Sequence, residues 1–278
     1  MKLQIQRIAV LACAILLVVV AFSPVPAAQV PEARLKTYDD VLDLYVRDGE
    51  VYYRALKAER AGFDGYVSAL GTASIDSAPR EAQMAFWINA YNAFVMQAVI
   101  DHYPIAGRAR EYPSKSIRQI PGAFDKTPHK AAGKTVTLDQ IEQNILPGFH
   151  DPRVFFALGR GSRGSGRLRS EAYEAGKLEQ QLAAQSSECL NHAQCVSVDI
   201  ANGALHVSSI FSWRDQDFAE AYGAKAPGAF SERSPIERAV IAFVDPRLLT
   251  TEREFLARNT FKMDYIPFDW NLNDLTGR

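Results

Sequence analysis

QMAFWINAYNAFVMQAVI, residues 83–100, is the longest apolar run outside the N-terminus, and it decides the fold. At helical pitch its large apolar side chains make one face, whereas Asn89 and Asn92 share another face with Met96. Such a helix is expected to be mostly buried. Because a buried amide without a hydrogen-bond partner costs about 1–3 kcal/mol, polar groups must meet the face that carries the two asparagines. The stretch therefore predicts a central buried helix with a polar site against one side.

The first 28 residues have the pattern of a secretion signal. Lys2 and Arg7 give a basic start, Ile8–Phe22 is an uninterrupted apolar run, and Pro24–Ala28 supplies small residues for a signal peptidase. The apolar run is shorter than the roughly 18 residues expected of a membrane-spanning helix. Cleavage at the end of segment 1–28 predicts a periplasmic or secreted protein, and an uncleaved anchor is the alternative.

The remaining residues, 29–278, are expected to form a single domain, since they contain no repeat and no low-complexity tract. With 31 basic and 32 acidic residues the net charge is −1, which favours neither a nucleic-acid partner nor an anionic membrane surface. Contact with a membrane is expected only through the N-terminal segment, if it stays uncleaved.

Two cysteines remain after processing, Cys189 and Cys195. In an oxidising compartment a local disulfide between them is favoured over a metal site. His192 lies between them as a possible third ligand, but no fourth candidate is close in sequence, so zinc coordination has little support. Neither a metal nor a cofactor is expected.

Helical periodicity and end signals predict several further helices. The clearest hairpin signal is the pair of apolar runs 196–200 and 204–208, joined through Asn202-Gly203. Because helices outnumber strands and the strands pair locally, the predicted fold class is α+β: a helix-rich single domain with short locally paired strands around a central buried helix. The predicted helices are 33–47, 56–70, 83–100, 138–146, 178–190, 236–244 and 252–258; strands are predicted at 133–137 and 154–158, a long surface excursion at 105–128, and an extended aromatic segment at 265–270.

The segment GRGSRGSG, residues 159–166, follows a predicted strand and fits the dinucleotide pattern GxGxxG. Its surroundings do not support that match, because the fingerprint also needs a helix that opens at once inside a βαβ unit. The segment also lacks the Gly-Lys-Ser/Thr of a phosphate loop and the GxSxG of a nucleophile elbow. A solvated basic loop is the favoured interpretation, and an anion site made of free backbone N–H groups and arginines is the alternative. The arginines are Arg160, Arg163, Arg167 and Arg169.

Glu142 is a carboxylate that helical spacing turns toward the core, together with Leu138 and Ile145. A carboxylate in that position must be paired or have a shifted pKa. A salt bridge to one of the arginines is favoured over a role as a general base.

Short blocks along the chain occur in a fixed order: AFWINAYNA at 85–93, HYP at 102–104, SIR at 116–118, LDQIE at 138–142, DPR at 151–153, FAL at 156–158, LR at 168–169 with EAY at 171–173, and SSIF at 208–211. Together they resemble the domain-of-unknown-function family 547, from about residue 53 to residue 218. The segment 265–273 resembles the aromatic C-terminal segment of the same family. Several blocks in the right order are specific, whereas one block alone would not be.

The resemblance implies a set of cysteines and histidines suited to thiol nucleophile chemistry, in which an imidazole lowers the pKa of the thiol. This chain departs from that set at every place. Phe155 and Gln143 stand where the family carries histidines, Arg160 and Ser165 stand where it carries cysteines, and Gly166 replaces the proline after the second cysteine. A serine nucleophile needs a base, and both family histidines are missing.

Because the scaffold positions are kept while the reactive ones are not, we expect a non-catalytic binding or accessory protein of the cell envelope with a polar pocket. The pocket is expected between the asparagine face of the central helix, Glu142 and the glycine-rich loop Gly159–Arg169, with an anionic or cell-envelope ligand. The alternative is a hydrolase or acyltransferase that uses Ser165. A third hypothesis is that the asparagines only hold down the excursion 105–128. The candidate binding residues are Trp87, Asn89, Asn92, Glu142, Arg160, Arg163, Arg169 and Tyr173.

Overall fold

Helix α4, Arg80–His102, is the element around which the chain folds. The computed structural model describes residues 32–276, so the predicted signal segment 1–28 lies outside the described residues. Helix α4 begins directly after Pro79 and ends before Tyr103-Pro104, where the residue preceding a proline avoids helical geometry. Every residue from 84 to 96 is buried, including both asparagines. The predicted central buried helix is confirmed.

The other elements give a helix-rich α+β fold, as predicted. The α-helices are α1 (Glu32–Tyr45), α2 (Tyr53–Ala58), α3 (Ala61–Thr72), α4, α5 (Leu138–Gln140), α6 (Leu178–Leu190), α7 (Ser209–Trp213), α8 (Asp215–Tyr222), α9 (Pro235–Val244) and α10 (Thr250–Ala257). The strands are β1 (Val46–Arg47), β2 (Glu50–Val51), β3 (His129–Ala131), β4 (Lys134–Val136), β5 (Val196–Asp199), β6 (Ala204–Ser208) and β7 (Lys262–Ile266). Short 3₁₀ helices span Ile117–Gln119, Leu146–Phe149, Pro152–Phe156, Ala175–Lys177, Gly223–Lys225, Gly228–Phe230 and Asp245–Arg247.

The strands pair into small sheets around these helices. β1 pairs with β2 and β3 pairs with β4, both antiparallel. β5 and β6 form the predicted antiparallel hairpin, with Val198 opposite Leu205. β7 then joins β6 in parallel, with Tyr265 opposite Val207. This non-local pair fixes the C-terminal segment to the body of the fold.

The segment 138–149 changes helix type twice. A capping box starts α5, because the Thr137 hydroxyl accepts the Gln140 N–H while the Gln140 side chain accepts the Thr137 N–H. The chain continues as a π-helical turn, Ile141–Ile145, and then as the 3₁₀ helix up to residue 149. A helical segment is therefore present at the predicted residues, 138–146, but it is not a regular α-helix. The π-helical turn carries Glu142 into the core.

The buried strand predicted at 154–158 is wrong, since residues 154–156 belong to the 3₁₀ helix Pro152–Phe156 and residues 157–158 are not in a strand. The Asp151 carboxylate accepts the Arg153 N–H at 3.2 Å, and a proline occupies the first turn. This start signal outweighs the short apolar run. The predicted helix 56–70 is likewise divided, because the chain turns between α2 and α3.

The buried hydrophobic side chains form one cluster. Helix α4 lies within it and contacts α2, α3 and the turns of segment 138–149. Within the same cluster, Phe156 packs against Phe211, Phe218 and Phe243, with ring centroids 5.3–5.7 Å apart. Among residues 32–276, no helix combines the length and the apolar character needed to cross a bilayer.

Candidate functional site

The two asparagines of α4 bind main-chain groups. Asn92 donates through Nδ2 to the Ala157 carbonyl at 3.0 Å, and its Oδ1 accepts the Gly159 N–H at 2.8 Å. Asn89 treats Tyr173 in the same way, donating to its carbonyl at 2.8 Å and accepting its N–H at 2.9 Å. The polar partners that the sequence requires are therefore backbone atoms on either side of the glycine-rich loop. The surface excursion receives neither amide, so the third hypothesis names the wrong segment.

Glu142 and Arg160 form an ion pair in the core. Nη2 of Arg160 lies 2.6 Å from Oε1 of Glu142, and Tyr91 donates its hydroxyl to Oε2 at 2.7 Å. The side chain of Glu142 is 7% exposed, and that of Arg160 is 2% exposed. Burial alone would raise the pKa of Glu142, but the charge and hydrogen bonds of Arg160, with the Tyr91 hydroxyl, outweigh it and hold the pKa below its ordinary value. The predicted salt bridge to an arginine is present.

Arg160 is an internal anchor of the loop. Its Nη1 donates to the carbonyls of Phe155 at 3.1 Å and Leu158 at 3.3 Å. Its φ is +38°, and Gly161 follows with a φ of +62°, so the chain makes a left-handed turn at this point. The Arg160 guanidinium therefore makes its contacts inside the protein. The expectation of a wholly solvated basic loop is wrong at this arginine.

Gln143 and Phe155, two positions at which the resemblance implies reactive residues, meet at Arg214. This arginine donates through Nη1 to Oε1 of Gln143, and its guanidinium carbon lies 4.1 Å from the centre of the Phe155 ring. Arg160 binds the Phe155 carbonyl from another side. The fourth position, Ser165, lies apart from this group and lines a cavity. Packed amide, aromatic and guanidinium groups thus occupy the positions at which the resemblance implies two imidazoles and a thiol.

Most backbone N–H groups of residues 159–166 are used within the fold. Arg163 N–H donates to the Asn271 carbonyl at 2.9 Å, and Gly164 N–H donates to the Asp269 carbonyl at 2.8 Å. Two more N–H groups of the loop bond to its own carbonyls. The expectation of many free N–H groups that could receive an anion is therefore wrong. The loop is held in place by the C-terminal segment.

Two glycines of the loop are required for close packing. A Cβ at Gly166 would lie 1.7 Å from the Phe156 carbonyl oxygen, and a Cβ at Gly164 would lie 2.6 Å from the Asp269 nitrogen. Both contacts are too short for any side chain. The glycine content therefore reflects backbone approaching backbone, not a cradle for a phosphate.

A cavity of about 580 Å³ opens between the glycine-rich loop, the β1–β2 hairpin and the end of α6. This volume lies within the range of about 300–1,000 Å³ that is usual for small-molecule sites. The lining combines apolar, hydroxyl and charged groups of both signs. It consists of Asp48, Gly49, Glu50, Phe156, Ser162, Arg163, Gly164, Ser165, Gly166, Arg167, Glu188, Cys189, His192, Gln194, Cys195, Ser208, Ile210 and Asn273.

Arg163 and Glu50 form the inner ion pair of the cavity, with Nη2 3.2 Å from Oε1. The Glu50 side chain is 11% exposed, whereas that of Arg163 is 36% exposed. Asn273, which also lines the cavity, fixes the hairpin from below by donating to the Gly49 carbonyl at 2.9 Å and accepting the Tyr53 hydroxyl at 2.7 Å. The position of the inner carboxylate is thereby set by the C-terminal segment.

Arg167 bridges two carboxylates among the lining residues. Its guanidinium lies 2.9 Å from Asp48 and 3.2 Å from Glu188, so it links the hairpin to α6. Nε2 of His192 lies 3.0 Å from Glu188 on the same side. Burial would raise the pKa of Glu188, but hydrogen bonds from His192 and Arg167 outweigh it and lower the pKa. Both arginines of the cavity are thus already partnered.

Ser165 is bonded to a second serine. Its Oγ lies 2.9 Å from Oγ of Ser162, which is buried. Among residues 32–276, the Ser162 hydroxyl is the one side-chain partner of the Ser165 hydroxyl. No histidine or carboxylate within that range is hydrogen-bonded to Ser165. Among the described residues, the Ser165 hydroxyl thus lacks the hydrogen-bonded base that activates a serine nucleophile.

The cysteines lie in the cavity wall at disulfide-bonding distance. The Cα atoms of Cys189 and Cys195 are 5.3 Å apart, and both side chains are buried. Cys189 is in the last turn of α6 and Cys195 directly precedes β5. A bond between them ties α6 to the sheet formed by β5, β6 and β7. In the part of the chain that the structure describes, no group of three or more His, Cys, Asp and Glu side chains is arranged to hold a metal ion.

Several other candidates from the sequence lie away from this cavity. Trp87 packs edge-on against Phe86, with ring centroids 5.2 Å apart. Arg169 donates through Nε to Glu171 at 3.0 Å, and the Tyr173 ring is buried. Asn89 and Tyr173 instead border a much smaller cavity of about 60 Å³.

The structure thus brings together one part of the predicted set. Arg163, Ser165 and the two cysteines line the large cavity. Arg169 lies outside the packed interior and is paired with Glu171. The candidates in the packed interior are Trp87, Asn89, Asn92, Glu142, Arg160 and Tyr173.

The cavity residues that sequence reasoning missed include Glu50, Glu188 and Asn273, and His192 was considered only as a zinc ligand. Glu50 follows the Asp48-Gly49 turn, a visible signal for a hairpin. Glu188 is close to Cys189 and therefore to the predicted disulfide. Nothing in the sequence pairs the C-terminal segment with the hairpin, so Asn273 carries no signal.

Residues 75–190 match the family described as protein of unknown function, DUF547. Comparison with curated proteins gave no match, and comparison with solved structures gave none. The matched segment contains α4, the Glu142–Arg160 pair, the glycine-rich loop and α6, and hence much of the cavity wall. Over residues 75–190 the chain is thus similar to the DUF547 family, and this match is consistent with a divergent member of it.

Proposed function

We propose that this protein is an exported, non-catalytic binding or accessory protein of the cell envelope, and that its ligand site is the cavity at the glycine-rich loop. The observation that carries the proposal is the environment of Ser165. This serine faces a cavity of suitable volume, about 580 Å³, but its hydroxyl is bonded to the Ser162 hydroxyl. A polar cavity with an unactivated hydroxyl suits binding better than acyl transfer.

The surroundings of Ser165 also weigh against the alternative, a serine-dependent hydrolase or acyltransferase. His192 borders the same cavity, but its Nε2 is engaged with Glu188 and its side chain is 64% exposed. An activated serine needs an imidazole that accepts its proton and a third group that orients the imidazole. Here Glu188 and His192 are bonded to each other on the rim of the cavity, and neither is hydrogen-bonded to Ser165.

The positions that the family resemblance associates with reactivity support the same proposal. The side chains at these positions, those of Gln143, Phe155 and Arg160, pack or pair inside the fold. Restoring a thiol and imidazoles there would require removal of a buried ion pair. The side chains now at these positions are therefore more compatible with a scaffold that serves for binding than with thiol catalysis.

Export is proposed from two features. Segment 1–28 has the order of a secretion signal, with a basic start, an apolar run and small residues. The cysteine pair at disulfide distance fits an oxidising compartment, since disulfides persist outside the reducing cytosol. A periplasmic or secreted location follows from both.

A thermal-shift screen of small polar compounds tests the proposed site. A ligand that binds the folded protein raises Tm by mass action, so compounds of at least one chemical class should raise the Tm of the wild-type protein. Ser165→Trp places an indole in the cavity and should abolish the response. Ser231→Trp, at an exposed serine away from the cavity, is the matched control and should respond like the wild type.

Two results would overturn the proposal. One is a screen in which no compound class stabilises the wild-type protein. The other is an equal response of the wild type and Ser165→Trp, which would put the ligand somewhere else.

A further inference from the structure

A second cavity lies between the helical turns of segment 138–149 and helices α7 and α8, and it shares no lining residue with the cavity at the glycine-rich loop. Its volume is about 550 Å³, which is within the range usual for small-molecule sites. We name it the Trp213 cleft; its lining is Gln143, Pro147, Gly148, His150, residues 213–217 and Glu220.

Trp213 contributes a partly exposed indole to the wall of this cleft. It is 41% exposed, although tryptophan is on average a highly buried residue. The half-buried rings of Phe268 and Trp270 pack against it, with centroids 4.7 Å and 6.1 Å away. Because these rings hold the indole in place, a ligand that covers its exposed part gains apolar contact at little cost in conformational entropy.

Arg214 orients two polar side chains beside the indole. It is itself 7% exposed, donates through Nη1 to Oε1 of Gln143, and holds Nη2 2.7 Å from Oδ2 of Asp217. Nε2 of Gln143 makes no hydrogen bond to residues 32–276, so its two N–H donors are available to a ligand. The Asp217 carboxylate keeps lone pairs for a donor. The cleft therefore holds an oriented donor and an oriented acceptor on the two sides of one arginine.

The other polar groups of the cleft favour a neutral ligand with many hydroxyls. The exposed side chains of His150, Gln216 and Glu220 make no hydrogen bond or ion pair with residues 32–276, and together they supply donors and acceptors. A simple anion is disfavoured, because three carboxylates and one arginine line the cleft. An organic cation would use the carboxylates but not the N–H donors of Gln143. A hydroxyl both donates and accepts, so it can use either kind of group.

We infer that the Trp213 cleft is a second binding site, and that it takes a neutral oligosaccharide of pyranose sugars. A pyranose ring has an apolar face of C–H groups and a rim of hydroxyls. The C–H face of one sugar packs against the Trp213 indole, while neighbouring hydroxyls accept from Gln143 and donate to Asp217. This site is independent of the proposed function, which concerns the cavity at the glycine-rich loop.

Isothermal titration calorimetry with three probes tests the inference on the full chain. The probes are cellotriose, triacetylchitotriose and the cation spermidine. At least one of the two neutral trisaccharides should bind the wild-type protein. Trp213→Ala should weaken that binding at least about tenfold, whereas Trp213→Phe, which keeps an aromatic ring against Phe268, should stay within about threefold of the wild type. Tyr52→Ala is the matched control, since Tyr52 is an aromatic residue 37% exposed outside the cleft, and it should leave the affinity unchanged.

Gln143→Glu separates a neutral from a cationic ligand. The new carboxylate still offers an oxygen to Arg214, but the two N–H donors are lost and a negative charge is added. The trisaccharide should therefore bind about fivefold more weakly, because its hydroxyls lose a donor. A cation would instead bind more tightly.

Three results would overturn the inference. The first is that neither trisaccharide binds the wild-type protein. The second is that a trisaccharide binds Trp213→Ala as tightly as it binds the wild type, which would place the sugar outside the cleft. The third is that spermidine binds in place of the trisaccharides and binds Gln143→Glu more tightly, which would make the ligand class cationic.

Discussion

Oδ1 of Asn92 accepts the N–H of Gly159 at 2.8 Å, and this bond fastens the start of the glycine-rich loop to the central helix. The same amide donates to the Ala157 carbonyl, so one side chain satisfies two backbone groups. The loop leaves this anchor, turns at Arg160 and Gly161, and then lines the cavity. The buried polar face of α4 therefore acts on the cavity through the loop.

Asn92→Ala should lower the free energy of unfolding by about 2–4 kcal/mol, because a buried N–H and a buried carbonyl lose their partner. Chemical denaturation measures the change. Gln97→Ala is the matched control: this half-buried side chain lies on the same helix, and within residues 32–276 it makes no side-chain hydrogen bond. Its replacement should change the free energy of unfolding by less than about 0.5 kcal/mol. Equal effects of the two substitutions would contradict the anchoring role of Asn92.

Glu142→Gln should cost about 3–5 kcal/mol at neutral pH, because it leaves the buried Arg160 guanidinium without a counter-charge. The exposed pair of Asp245 and Arg253 provides a control, since Asp245→Asn should cost at most about 1 kcal/mol. Denaturation of both variants under the same conditions gives the comparison. A cost for Glu142→Gln as small as that of the exposed pair would show that the ion pair contributes little.

Gly166→Ala should destabilise the protein by about 1–3 kcal/mol or more, because the new Cβ would lie 1.7 Å from the Phe156 carbonyl oxygen and the backbone would have to move. Gly176→Ala is the control, because a Cβ there meets nothing within 4 Å. The two Tm values, measured side by side, decide the matter. If Gly166→Ala is as stable as Gly176→Ala, the close approach of loop and carbonyl is not real.

His129 should make stability depend on pH. Its ring stacks on Phe94 with centroids 4.3 Å apart, and burial lowers its pKa from 6.5 to about 4, against an opposing effect of Asp101. Between these values the unfolded chain binds a proton that the folded chain does not, so stability is fully present above about pH 6.5 and is lost as the pH falls toward 4. The loss should reach on the order of 3 kcal/mol.

His129→Phe keeps an aromatic ring against Phe94 and removes the titrating group. Subtracting its pH profile of unfolding free energy from that of the wild type isolates the histidine from the acidic groups that titrate nearby. The difference should fall as the pH drops from 6.5 to 4. A flat difference would mean that the pKa of His129 is the same in the folded and the unfolded protein.

Elements with strong local signals could be predicted from the sequence. Helix α6 occupies the predicted residues, 178–190, and the β5–β6 hairpin forms around Asn202-Gly203, because periodicity and turn residues act over short distances. The segment 154–158 could have been predicted better. Its Asp-Pro start was visible, and an apolar run of that length does not separate a strand from a helical turn.

The candidate site was harder to predict, since its parts are distant in the chain. The sequence requires partners for Asn89 and Asn92 but cannot show that these are the backbone at 157–159 and at 173. It places arginines on the glycine-rich loop but cannot show that Arg160 turns inward while Arg163 faces the cavity. That division depends on one left-handed turn and on the C-terminal segment, which no local pattern encodes.

Labelling with a fluorophosphonate probe, followed by intact-mass measurement, tests the central claim that Ser165 is not an activated nucleophile. The Ser162–Ser165 contact and the absence of a bonded base among the described residues predict that wild-type protein takes up no more probe than Ser165→Ala. A probe adduct on the wild-type protein that disappears in Ser165→Ala would contradict the account and establish a serine enzyme in its place.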